Sequence, residues 1–273
     1  NYNTVVGDEA GTAITTGDDN VALGYASLDA NTTGSTNTGL GSFSLSSNTT
    51  AGNNVGVGYF ALIANTTGSG NVALGNNALD TNTTGSLNTA IGANALTAVT
   101  TGSDTVAVGA NALIALTTGA GNVGVGHDAL GTVTTGTSST AVGFQALLSN
   151  TASNNTAVGY QSLITNSTGT LNVAVGASAL DANTTADNNT AVGGNALSAN
   201  TTGHSNVAVG SASLNVNTTA NNNTAVGRAA LAANTTGASN VAVGQSALAA
   251  NTTASNNNAL GSGAMALNTT GSA

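Results

Sequence analysis

A glycine returns every 17 residues along this chain: Gly7, Gly24, Gly41, Gly58, Gly75, Gly92, Gly109, Gly126 and Gly143. The series resumes one residue early at Gly159 and continues through Gly176, Gly193, Gly210, Gly227, Gly244 and Gly261. A unit this short cannot bury a core of its own; it is one coil of a stack, stable only against its neighbours. Sixteen near-copies of one rung give a repeated surface rather than a unique pocket.

Each rung reads approximately N-[TV]-A-[VL]-G-x-x-A-L-x-x-N-T-T-[GA]-x-x, numbered here from its first Asn, with rungs beginning at Asn3. Position 4 is Val, Leu or Ile in all sixteen rungs, and position 9 is Leu in fourteen. An amphipathic helix would repeat its apolar residues every three or four positions. Short β-branched segments bounded by Gly and Asn-Thr-Thr-Gly read instead as strands and corners. The expectation is an all-β parallel β-solenoid. Positions 1–4 form one strand, the position 5 glycine a corner, positions 8–10 a second strand, and positions 12–15 the return. Equivalent residues would stack 4.7–4.9 Å apart, so the whole array would span about 75 Å.

Positions 2 and 4 share one strand face, which is expected to point inward, with position 3 on the opposite face. Position 3 is Ala in twelve rungs and Gly in three, and position 8 is always Ala or Ser. Small residues on both faces suggest either self-association around a shared axis or a coil too narrow for anything larger. Asn fills position 1 in fourteen rungs, Thr105 and Ser139 being the exceptions. Such stacked amides can hydrogen-bond up the array.

Residues 1–273 read as a single array without an evident terminal cap, which suggests a processed chain or an excerpt of a longer fibre. A one-residue deletion falls near 150–152. From about Thr140 a 34-residue super-repeat appears: position 2 runs Thr140 and Thr156, then Val173, Thr190, Val207, Thr224 and Val241, and position 15 alternates between Ala and Gly. Position 12 changes from Asn to Val99, Leu116 and Val133 in three successive rungs. That change marks either an apolar contact patch or a repacked corner.

Composition excludes several function classes. Charged residues are 4%, the formal net charge is −9, Arg228 is the sole strong base and there is no Cys. Phosphate neutralisation needs clustered Lys and Arg, so nucleic acid is not a partner. Thiolate metal sites and disulfides are ruled out. No apolar run approaches the roughly 18 residues of a membrane span, so membrane insertion is not expected.

No catalytic constellation stands out, and no enzyme activity or cofactor is expected. His127 and His204 occupy variable positions several rungs apart and read as solvated surface residues. Asp8, Glu9, Asp18 and Asp19 are a weak Ca²⁺ candidate, with oxygen ligands but a spacing that fits no known loop. Aromatics gather at the corner after the repeated glycine: Tyr25, Phe43, Tyr59, Phe60, Phe144 and Tyr160. They are candidate contacts to a glycan or protein receptor; shielding the corner or packing on a neighbouring chain are the alternatives. Asn-Thr-Thr is also a glycosylation sequon, present ten times from Asn31 to Asn268. Glycans one rung apart would be crowded, so corner chemistry is the expected reason for the motif.

The segments Asn172-Val-Ala-Val-Gly176, Asn206-Val-Ala-Val-Gly210 and Asn88-Thr-Ala-Ile-Gly92 resemble the head repeats of trimeric autotransporter adhesins. They are also similar to repeats in bacteriophage tail-fibre shafts. The resemblance implies a left-handed β-roll, trimeric association and binding to host or matrix surfaces. The rung here is longer than in those adhesin heads by the Asn-Thr-Thr-Gly return. The functional expectation is a structural or adhesive extracellular fibre segment, at a cell surface or on a virion, that self-associates into a fibre or trimer. The alternative is an ice-binding solenoid using its stacked Thr rows.

Overall fold

The computed structural model describes residues 2–271. Among them the structure is all strand and turn, with no helix. Each rung contributes one three-residue strand at positions 2–4. The strands run from β1 (Thr4–Val6) to β8 (Val123–Val125), and from β9 (Thr140–Val142) to β16 (Asn258–Leu260), numbered by rung. The chain divides into two compact units, Asn1–Ser138 and Ser139–Ala273. In each, consecutive strands pair parallel and in register, as in Val55↔Val72, Gly56↔Ala73 and Val57↔Leu74. The protein is a parallel β-solenoid with a 17-residue rung, as its periodicity predicts.

Backbone hydrogen bonds between rungs continue beyond the strands. Gly24 N–H donates to Val6 O (2.9 Å), Leu28 N–H to Ser44 O (3.1 Å) and Thr32 N–H to Thr49 O (2.8 Å). Each rung is thus bonded around most of its circumference, which satisfies the peptide groups that turns would otherwise leave unpaired.

The strand faces are the reverse of the sequence expectation. Position 3 is the buried one: Ala73, Ala107, Ala174 and Ala208 are 0% exposed. Positions 2 and 4 point outward and are half-buried or exposed, as in the burial patterns of Val106–Val108 and Val72–Leu74. The cause is width. The coil interior already holds a Leu from position 9 and an Ala or Ser from position 8, all fully buried in Leu62, Ala61, Leu79 and Ala78. Only a methyl group or a hydrogen fits opposite them. The small residues are therefore the interior of a narrow coil, not a second outer face.

The second expected strand does not form either. Positions 6–11 are turns, and the position 9 leucines hold left-handed backbone, with φ of 52° at Leu28, 55° at Leu45 and 54° at Leu113. An L-residue in that region costs about 1–2 kcal/mol. Complete burial of the side chain and a peptide hydrogen bond to the next rung offset that cost. At the repeated glycine the chain bends. Gly92 has φ +134°, and a Cβ there would lie 2.6 Å from the carbonyl carbon and oxygen of Gly109. Neither the conformation nor the stacking admits a side chain.

Inside the coil, Ser and Gly trade space. Ser44 Oγ donates to Gly56 O of the next rung at 2.7 Å, in room that a Cβ on Gly56 would fill. Where position 3 of the next rung is Ala, as at Ala225, the equivalent Ser213 turns back to its own Gly210 O at 2.8 Å.

Candidate functional site

Two buried polar ladders line the coil. At position 1, Asn37 Oδ1 accepts from the Asn54 peptide N–H (3.0 Å), while Asn37 Nδ2 donates to Ala51 O (2.8 Å). This expected ladder exists, though it runs chiefly from amide to backbone. Ser139 substitutes its hydroxyl as acceptor for the Asn155 N–H at 3.3 Å. The second ladder, at position 12, was not foreseen. Asn48 Nδ2 donates to Asn31 Oδ1 (2.9 Å) and to Ala51 O three residues ahead (3.0 Å). Its signal in the sequence was the exchange of Asn for Val99, Leu116 and Val133. These three are 0% exposed, so they form a repacked interior and not a contact patch. The first of them ends the ladder: Asn82 Oδ1, facing that rung, is buried without a partner.

The sequon asparagines are these ladder residues. Asn31, Asn48, Asn65, Asn82, Asn183, Asn200, Asn217, Asn234 and Asn251 are 0% exposed. Their amides are unavailable to a glycosylating enzyme in the folded chain. The one-residue deletion is absorbed at the same place. Asn150 Oδ1 accepts from Asn155 Nδ2 (3.1 Å) and Asn166 Nδ2 (2.7 Å), joining the two ladders. Strand register is kept across the short rung, Thr156 pairing with Thr140.

The outer surface presents three kinds of row. Positions 2 and 4 carry Thr, Val and Leu on the strand face, and Leu74 is 46% exposed. The Asn-Thr-Thr return splits its threonines. Position 13 hydroxyls donate to the next rung's carbonyl, as Thr66 to Thr83 O at 3.0 Å, whereas position 14 threonines such as Thr67, Thr84 and Thr202 are exposed.

The corner rows carry the aromatics. In the first unit Tyr25 and Phe43 meet edge to face with centroids 5.1 Å apart, Phe43 and Phe60 lie 5.4 Å apart, and Tyr59 stacks on Phe60 at 3.9 Å. In the second, Phe144 and Tyr160 stack at 5.6 Å, 8° from parallel. The sequence placed all six at one corner; the structure resolves them into a strip of four and a pair.

The titratable residues do not converge. Among the described residues no group of three or more His, Asp or Glu could hold a metal. Asp8 and Glu9 sit at the glycine corner, Asp18 and Asp19 at the end of the return. His127 Nδ1 contacts Asp128 Oδ2 at 2.9 Å, and exposed His204 lies 3.4 Å from Ser205 Oγ. Asp29, Asp80 and Asp181 all occupy position 10, where burial raises their carboxyl pKa above the ordinary value against opposing backbone hydrogen bonds. Asp181 lines a shallow depression of about 410 Å³ with Ile164, Thr165 and Asn195. It brings together no acid–base or nucleophile–base pair. Among the described residues no helix is long and apolar enough to cross a membrane.

No protein-family model, curated protein or solved structure matches this chain.

Proposed function

We propose that the chain is a segment of an extracellular structural or adhesive fibre, from a microbial surface or a phage tail, that works without catalysis and self-associates through its strand face. The observation that carries this reading is the outward Val and Leu row at position 4, including Leu23, Leu40 and Val158, each more than a third exposed. Parallel sheets are ordinarily covered on both faces, and here the coil covers only one. Burying a Val or Leu completely is worth about 1.5–3 kcal/mol. Partial burial of one such residue per rung, over the eight strands of a unit, can exceed an association cost of about 4–15 kcal/mol. Low charge density leaves little repulsion on that face. Sedimentation velocity over a hundredfold concentration range tests the reading. Concentration-dependent oligomers that Val192→Glu and Val209→Glu dissociate support it; a monomer at every concentration sinks it.

Ice binding is the second reading. It is favoured by the exposed position 14 threonines and by the outward threonines of position 2, such as Thr190 and Thr224, flanked by valine methyl groups. Regular hydroxyl and methyl rows at strand spacing suit an ordered water lattice. Absence of thermal hysteresis, with ice crystals growing unshaped, would remove it.

A further inference from the structure

The aromatic strip of the first unit has no structural need behind it. Its rings stand outside a core made of Ala, Leu and Asn. The rung closes equally well with Ala110 and Asn111, or Gly194 and Asn195, at the same two corner positions. The second of these positions is left-handed in both cases: φ is 60° at Phe43 and 61° at Phe60, against 56° at Asn111 and 55° at Asn195. Asn enters that region readily and a bulky aromatic does not. Phe43 and Phe60 therefore break a local rule with no packing gain inside the coil, a pattern that marks functional positions.

The exposed part is substantial. Tyr25 is 42% and Tyr59 50% exposed, and contiguous exposed apolar patches mark binding surfaces. Tyr25, Phe43, Tyr59 and Phe60 occupy three successive rungs, so the rings rise along the stacking direction. At the end beside Tyr25 stand Asp8 and Glu9, on the same corner one rung earlier. The Glu9 carboxylate favours the protonated form of the Tyr25 phenol and raises its pKa. The first unit holds eight of the ten acids and neither Lys nor Arg, so an anionic ligand is repelled.

We propose that this strip is a binding platform for a linear glycan free of acidic groups. Sugar rings offer flat C–H faces to stack on aromatic rings, and hydroxyls for the carboxylates at the end of the strip to accept from. A peptide is the poorer fit. Peptide recognition generally uses a sheet edge or a groove, while the strip lies on a corner between strands already paired on either side. The proposal deepens the adhesive half of the reading above and does not depend on self-association.

Isothermal titration calorimetry with a glucose hexasaccharide, an N-acetylglucosamine hexasaccharide and a glucosamine hexasaccharide tests it, with heparin as the acidic control and an oligolysine as the basic peptide. At least one of the three hexasaccharides should bind the intact chain saturably. Tyr59→Ala and Phe43→Asn should each weaken it tenfold or more, with an unchanged circular dichroism spectrum, and heparin should not bind. No binding by any of the three hexasaccharides, equal binding by both variants, or binding of oligolysine alone overturns the proposal. Sedimentation of the same variants separates the two claims, because the strip is off the strand face and oligomerisation should be unaffected. Glycan binding by a strictly monomeric chain would count against the fibre and leave the platform standing.

Discussion

Asn65 Nδ2 donates to Asn48 Oδ1 at 3.1 Å, one rung away, and Asn65 Oδ1 accepts in turn from Asn82 Nδ2 at 2.9 Å. A consensus that looks like a glycosylation signal is thereby an amide ladder inside the coil. Replacing Asn65 by Leu strands the amides on both sides. An unsatisfied buried polar group costs about 1–3 kcal/mol. Asn65→Leu should lower unfolding stability by about that amount in equilibrium urea denaturation. Leu116, buried at the same position within an apolar run, shows that the site accepts the side chain when its neighbours are also apolar. Little or no loss in Asn65→Leu would mean that the ladder contributes nothing.

The repeated glycine is required twice over, by its positive φ and by the carbonyl stacked against it. Gly92→Ala should destabilise by more than about 3 kcal/mol. Gly194→Ala, where the nearest atom to an added Cβ is 4.0 Å away, should change stability by no more than about 0.5 kcal/mol. Thermal melts of the two variants side by side test the assignment, and equal melting temperatures would contradict it.

How far the sequence reveals this molecule depends on the feature. The 17-residue glycine series, the parallel in-register sheet and the position 1 amides follow from identity alone, because stacking repeats whatever one rung does. The facing of Val-Ala-Val does not. Alternation says that position 3 opposes positions 2 and 4 but not which is inside. Here volume, not hydrophobicity, decides, since Leu62 and Ala61 leave room only for a methyl. The turn at Leu79 was hidden because Leu is not a turn residue. The asparagines one position after the corner pair begins, Asn77, Asn94 and Asn111, were the available sign of left-handed backbone beside it. At the corner, residue identity places the aromatics together, but only coordinates show that Tyr25, Phe43, Tyr59 and Phe60 form one strip.

Acid should stabilise this fold. Burial raises the carboxyl pKa of Asp29, Asp80 and Asp181 above the ordinary value of 3.8. A folded pKa above the unfolded one means that the protonated form is favoured by folding. The contribution is fully present below the unfolded pKa and is lost as pH rises through the folded value. Lowering pH from neutral toward 3.8 should therefore raise the urea midpoint, aided by relief of the net charge of −9. The double variant Asp80→Asn/Asp181→Asn should raise the midpoint at pH 7 and flatten its pH dependence. A midpoint that falls steadily on acidification would contradict this.

The inverted strand face underlies both the narrow core and the proposed association surface, and the absence of native cysteine makes it directly measurable. The decisive measurement is the thiol-labelling rate of Ala191→Cys and of Val192→Cys in dilute solution, with and without denaturant. Ala191 is 0% exposed and its neighbour Val192 is partly exposed. Position 192 should react at once in the native protein, while position 191 should stay protected until the chain unfolds. Rapid native labelling at position 191 with protection at position 192 would contradict the fold and remove the outward apolar row on which the proposed fibre rests.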